Sequence, residues 1–394
     1  MPEPPIRPLS RRTLLKGIGT GLLTVVVVGT GVVSYRAATG NVLDYDGGHA
    51  YDPWRDWQDQ PGPLGLVAAA ILAANPHNTQ PWIFRVAPGR IDLFADPTRN
   101  GGALDALGRE QSVGLGCALE NMAIAAGPRG YDATVTVLPD GDPAHIATVG
   151  LAAAPSSTDA LYAAIGDRRS NRGPYTGAPV TSQELSYLTS QTVGPSGVGL
   201  TWFTSAAQRA ALGALMVDAA VAVNGDRQQS VDGFRWFRAA EAEIESHRDG
   251  LTDWGQDLSD PVSSAAVLLP AGSRTTGDRF WLTQTRTVHT RTAAAYGVLT
   301  VVDPADPRTR IDGGRLLQRL HLAATDHGLA FQHMNQITER IDREKGQGSP
   351  PTFAPRLDAL LDTPGRTALA SFRIGHPVRS GRLSPRRPVS WVVA

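Results

Sequence analysis

Apolar positions recur along this chain in two rhythms, one helical and one of strands. Leu64 to Ala74 is an alanine-rich apolar run stopped at Asn75-Pro76, which predicts a buried helix ended by the limits proline places on its predecessor. Trp82–Val86 and Ile91–Ala95 flank Pro88-Gly89 and predict a hairpin. Leu104 to Ala126 predicts a long helix with Leu115, Leu119, Met122 and Ala126 on its core face. Strands are expected near Ala133–Leu138 and His145–Leu151, with Ala152–Ser157 as a junction. A helix is expected from Thr158, and Thr181 with Glu184 predicts a capping box for another. Val198–Thr204 reads as a strand and Ala206–Val223 as a long apolar helix. Residues 225–290 read as long and irregular, holding Trp236, Trp254 and Trp281. Helix 314–327 ends before Gly328, and Thr367–Ile374 is a late strand. One internal echo stands out. Met122–Ala126 runs on to Gly130-Tyr131, and Leu320–Ala324 runs to Gly328-Leu329 at the same offset, as a duplicated unit would.

Length and composition fit two domains. The chain has 394 residues, 41% hydrophobic and 19% charged, enough to bury a sizeable core. Lys+Arg and Asp+Glu both number 37, which gives no global field for nucleic acid. Cys117 is the only cysteine, so no intrachain disulfide forms, and its place in an apolar helix reads as a small buried hydrophobe. Arg11-Arg12 precedes an uncharged run from Ile18 to Val33. That pattern predicts an export signal over residues 1–40 of the twin-arginine type, with the translocase as partner. Cleavage near Ala38-Thr39-Gly40 and retention as a membrane anchor both stay open. Residues 41–63, with Trp54 and Trp57, read as a linker wrapping onto the body.

Three segments carry candidate chemistry. Asn78-Thr79-Gln80-Pro81-Trp82 follows a helix and offers two amides, each both donor and acceptor. Alone it reads equally well as a proline-broken turn anchored by Trp82. Arg168-Arg169-Ser170-Asn171-Arg172 gathers guanidinium donors and a hydroxyl, which suits a phosphate dianion but also describes a solvated basic loop. The C-terminus supplies Arg373-Ile374-Gly375-His376-Pro377 and then Arg386-Arg387. In this order the three segments resemble the nitroreductase superfamily over roughly residues 64–394, and within it the Acg-like subgroup with two nitroreductase-like domains in tandem. The turn lacks the Pro-Ser-Ser triplet common before that motif.

The resemblance implies an α+β fold: two fused homologous halves, 64–155 and 156–394, with mainly antiparallel sheets flanked by helices, as a monomeric pseudo-dimer. It implies one FMN per chain at the junction. Asn78 and Gln80 would meet the flavin ring, and Arg168, Arg169, Ser170, Arg172, Arg386 and Arg387 the phosphate. Trp82, Gln332 and Asn335 would line the site. The chemistry would be the flavin's, with no catalytic side chain assigned and nitroaromatics or quinones as small-molecule acceptors. Residues 225–290 would form a lid, and a closed lid favours a rival reading, a protein that sequesters FMN without turnover. His321, His327 and His333 are spaced by six, about 600° of helical rotation, and share no helix face. No metal site is expected.

Overall fold

The computed structural model describes residues 46–192, 197–258 and 272–394. The export signal, the start of the linker and residues 259–271 of the expected lid lie outside the described residues.

The hairpin forms where the alternation places it. β1 (Trp82–Ala87) and β2 (Arg90–Ala95) pair antiparallel, and Gly89 turns between them at φ 69°. β3 (Tyr131–Val137) and β4 (His145–Ala153) complete an antiparallel sheet in the order β1-β2-β4-β3. Trp82, Phe84, Ile91 and Leu93 are buried in one core with α1 (Leu64–Ala70) and α2 (Arg109–Ala126). Before this body, residues 46–63 carry a short helical turn that buries Trp54 and Trp57, and Trp54 donates to Ser384 O at 2.7 Å.

The second half repeats this order of parts. After α3 (Ser182–Ser190) come β5 (Gly199–Phe203), α4 (Ala206–Gly225) and α5 (Arg227–Phe234). The two-residue strands β6 (Phe237–Arg238) and β7 (Leu251–Thr252) pair in parallel around α6 (Glu241–His247). Then follow α7 (Arg274–Gln284), β8 (Ala295–Val301), α8 (Pro307–Asp326) and β9 (Ala330–His333). α9 (Gln336–Gln347), α10 (Ala354–Leu361) and β10 (Thr367–Gly375) close the chain's regular structure. The second sheet has the order β5-β8-β10-β9, and all its pairs are antiparallel. Each sheet thus places its four strands in the same sequence, with a long helix, α2 or α8, between its second and third strands. The halves differ in the link between first and second strands: a tight turn at Pro88-Gly89 in one, residues 204–294 in the other.

α2 and α8 join the halves backbone to backbone. A Cβ on Gly116 would lie 2.1 Å from Ile311 O, and one on Gly314 2.1 Å from Val113 O. Only glycine permits that approach. Polar groups pin the same seam: Gln318 Nε2 donates to Asn121 Oδ1 at 2.8 Å, and Glu120 accepts from Arg315 and Arg319 at 2.8 and 2.7 Å. Cys117 is buried there, its thiol 3.2 Å from Gly314 O and pushed up to about 12 by burial. The chain also crosses between halves where Val393 bridges to Phe84 on β1, and within the second half Ser170 bridges to Phe331 on β9.

Several expectations need correction. Residues 225–290 are not irregular where described, since α5, α6 and α7 occupy much of them. Their polar composition hid short helices capped by Asp226 and Ser273. No helix starts at Thr158; only Ala164–Asp167 coils. α8 starts at Pro307, earlier than 314, because Asp306 caps it by accepting from Thr309 N at 2.8 Å. The capping box at Thr181 and Glu184 is present in both its bonds. His321 and His333 do meet, Nδ1 to Nε2 at 3.3 Å, because His333 sits on β9 rather than on the helix.

Candidate functional site: a roofed cavity between the halves

A cavity of about 320 Å³ opens beside the α2–α8 seam, within the size range of small-molecule sites. Asn75, Pro76, His77, Glu110 and Val113 reach it from the first half. Ser170, Arg172, His289, Gln332, His333, Asn335 and Glu339 reach it from the second. Parts of α5, β6, β7 and α7, including Phe234, Phe237, Leu251 and Trp281, roof it.

The roof is fastened to the first half. Asp249 is buried between Arg99 and Arg238, with Arg238 Nε at 2.9 Å. Asp232 accepts from Ala103 N at 2.7 Å, and Trp236 Nε1 donates to Asn100 O at 3.2 Å. Of the aromatics at 234–237, Phe234 and Phe237 line the cavity, while Trp236 serves as a pin beneath Arg99, Arg235 and Arg238.

The Asn-x-Gln turn supplies further fastening. His77, Asn78 and Gln80 all take left-handed backbone, at φ 48°, 54° and 52°. Such conformations cost side-chain-bearing residues roughly 1–3 kcal/mol each and persist where neighbours enforce them. Here the neighbours do. Asn78 Nδ2 donates to Gly250 O at 3.1 Å and Pro385 O at 2.8 Å. Gln80 Nε2 donates to Arg248 O at 2.7 Å, and its Oε1 accepts from Arg387 N at 2.9 Å. Both amides therefore tie the roof and the C-terminal segment to the turn, and of these residues only His77 lines the cavity. Trp82 is fully buried in the core.

The arginines divide into two groups. Arg168, Arg169 and Arg386 stack about Trp54, at 5.6, 4.5 and 4.9 Å from a ring centroid. Arg168 donates to Leu72 O at 2.9 Å, and Arg386 donates to Asn78 Oδ1 and Ser384 Oγ. Burial lowers all three guanidinium groups, Arg168 to about 9. Arg387 donates to Gln80 O at 2.7 Å. Arg172 goes the other way and lines the cavity with Ser170. Its Nη1 donates to Gly255 O at 2.8 Å, and Asp257 accepts its backbone N at 2.6 Å.

Elsewhere the wall mixes apolar side chains with histidines, amides and the acids Glu110, Asp253, Asp278 and Glu339. Burial drives His77 down to about 4 and His333 to about 3, and His289 well below its ordinary value, so all three are neutral at pH 7. Gln332 Oε1 accepts from Arg373 Nε at 2.6 Å, and Asn335 Oδ1 from Ser371 N at 2.9 Å. Gln229 Nε2 and Glu110 Oε1, both buried in the wall, have no hydrogen-bond partner among the described residues. Orphaned buried polar atoms are rare in folded proteins, and here they mark a ligand's place. Sequence reasoning missed Glu110, Glu339, His77, His289 and Gln229.

A stretch of 126 residues, 31% of this chain, is 36% identical to a Mycobacterium tuberculosis protein named "Putative NAD(P)H nitroreductase Rv3131". The chain is similar in sequence to such nitroreductases. A second protein of that name from the same organism, acg, is 34% identical over 135 residues. The chain spans only about two fifths of the length of these relatives, 37% and 41%. No family model matches the chain. Among solved structures, the FMN- and NADPH-dependent nitroreductase NfnB of a Sphigopyxis strain aligns with 59% of this chain and 97% of its own, at 20% identity and TM-score 0.40. The Mycobacterium smegmatis NfnB complex with NADPH aligns with 57% and 94%, at 17% identity and TM-score 0.38.

Proposed function

We propose that this chain is an FMN-dependent oxidoreductase of the nitroreductase kind, with one flavin in the cavity between its halves. The observation that carries the reading is the wall itself, where Arg172 and Ser170 stand beside the amides of Gln229, Gln332 and Asn335. Gln332 and Asn335 fix their carbonyl ends on the protein, which leaves their NH₂ ends to meet ligand acceptors. Gln229 Nε2 adds another donor. A flavin edge is rich in carbonyl and ring-nitrogen acceptors, and Arg172 with Ser170 would take the phosphate. FMN, when bound, would supply the hydride chemistry; these residues orient it and exclude water. Acceptors would be nitroaromatics or quinones.

The test is direct. Protein purified after loading with FMN is expected to be yellow, with about one flavin per chain as one cavity implies. A ratio near two, or no retained flavin, refutes the reading.

A second reading has its own observation. The roof is held by a buried ion-paired Asp249 and by both amides of the turn, so it does not open freely. A flavin store would behave this way. NADPH must stack on the ring at about 3–3.5 Å to pass hydride. Slow bleaching by NADPH beside fast bleaching by dithionite favours storage, and rapid bleaching by NADPH favours turnover.

A further inference from the structure

One part of the cavity wall is used by neither reading. Glu110 stands in the first turn of α2 and Glu339 in the first turn of α9, so they come from different halves. Both are about nine-tenths buried, both line the cavity, and the two carboxyls interact directly with each other. Carboxylate oxygens only accept, so that contact needs a proton between them. Glu110 Oε1 meets no donor among the described residues.

The surrounding charges explain why the pair must keep the proton. Asp342, on α9, is taken by Arg109, whose Nε lies at 2.8 Å. Asp105 accepts from the backbone of Glu110 and Gln111 at 3.0 and 2.8 Å and faces Arg310. Arg310 itself donates to Pro304 O and Leu107 O. Arg340 and Arg343 on α9 turn to Asp226 instead, at 3.4 and 2.8 Å. Two aspartates thus balance two arginines, and among the described residues no cation forms an ion pair with the glutamates. Burial raises both carboxyls; repulsion from Glu339 and Asp105 raises Glu110 further, and repulsion from Asp105 raises Glu339. A separate feature points to a ligand at this wall. Gln229, wholly buried, accepts Arg340 Nη1 at 2.5 Å and presents its unpartnered Nε2 to the same cavity.

We propose that Glu110 and Glu339 share one proton across the junction of the halves and hand it to an acceptor being reduced in the cavity. The donor role rests on the flavin reading above, with reduced flavin as the hydride source. A quinone that takes a hydride has gained two electrons and one proton and carries a negative charge on oxygen. An O–H bond of the glutamate pair breaks and one forms at that oxygen, giving the hydroquinone. The pair is left as two carboxylates until a solvent proton restores it. The carboxyls supply no electrons.

Two measurements test this. Infrared spectra of the flavin-free protein at pH 7 are expected to show a protonated-carboxyl band that both Glu110→Gln and Glu339→Gln abolish. FMN-loaded protein, reduced with dithionite, is then mixed with a naphthoquinone without oxygen. Glu110→Gln is expected to slow quinone reduction about 100-fold, the usual worth of a positioned proton donor. The rate is referred to flavin-loaded protein, and in this variant the fall in wild-type rate at alkaline pH should vanish. Glu339→Gln should act in the same direction, which guards against a folding defect in one variant. A band that survives both substitutions overturns the shared proton. Wild-type quinone reduction in both variants overturns the donor role. Failure of wild-type protein to bind FMN refutes the flavin reading and the donor role with it, while the infrared band still reports the pair.

Discussion

Replacing Gly116 by alanine should loosen the two halves at their closest point. The new Cβ would sit 2.1 Å from Ile311 O and 3.0 Å from Gly314 Cα. Ordinary contact begins near 3.4 Å, so α8 must retreat by more than an ångström. Both struck atoms are backbone, which cannot rotate away as a side chain would. Alanine gains roughly 1 kcal/mol over glycine in helix propensity. Overpacking of a tight core costs about 1–3 kcal/mol and sometimes more. A clash with backbone belongs at the upper end, so the expected net loss is about 2 kcal/mol. Gly225→Ala is the control, because its Cβ would meet nothing within 4 Å and the residue also ends a helix, α4. Urea unfolding followed by circular dichroism measures both. The seam's Val113, Cys117 and Leu317 line the cavity, so Gly116→Ala should also weaken ligand binding there. A Gly116→Ala protein as stable as Gly225→Ala would refute the close approach of α2 and α8.

Three further outcomes are expected. Arg172→Ala should weaken FMN binding by about 1.5–3 kcal/mol, the loss of a charge-assisted bond, and leave riboflavin affinity unchanged in fluorescence titrations; equal losses for both ligands would show that Arg172 holds no phosphate. Stability should fall as pH rises from about 6.5 to 8, because buried Glu339 titrates only near 8 when folded but near 4.5 when unfolded, so the folded state holds the extra proton. Below that window the buried histidines oppose the trend. The slope should approach 1.4 kcal/mol per pH unit, on the order of one proton, and Glu339→Gln should flatten it; a flat wild-type profile contradicts the assignment. Arg11→Lys with Arg12→Lys should block export and leave folding intact, as read by cell fractionation; normal export would point to the general secretory route.

Local pattern made some elements legible and concealed others. The β1–β2 hairpin was readable because its strands alternate about Pro88-Gly89, and α3 because its capping box is a four-residue signal. α2 was found with the wrong start. Gly108, left-handed at φ 64°, separates the helix from a short turn at Gly102–Asp105, and apolar spacing does not register that break. β8 was missed because every residue from Ala295 to Val301 is buried, which removes the alternation that marks a strand. In the site, Ser170 and Arg172 were readable as a compact cluster, and the cavity receives both. Glu110 and Glu339 were not, since each looks like an ordinary helix-opening acid until the fold sets α2 against α9.

The shared strand order also explains why, among the described residues, the cavity beside the seam is roofed from the second half. Both sheets run through the same succession of strands, with α2 and α8 in matching places and packed on each other through glycines. Two equivalent hollows could flank such a seam. The roof, however, is built from the link between the first and second strands of the second sheet. The corresponding link in the first sheet is the turn at Pro88-Gly89, which has no residues to spare for a cover. The first half instead gives its surface to holding the roof, through Asn78, Gln80, Arg99 and Asn100. Specialisation follows from that asymmetry. One half contributes the cover and most polar groups of the wall, the other the base and one carboxyl of the glutamate pair, and neither half alone encloses the cavity.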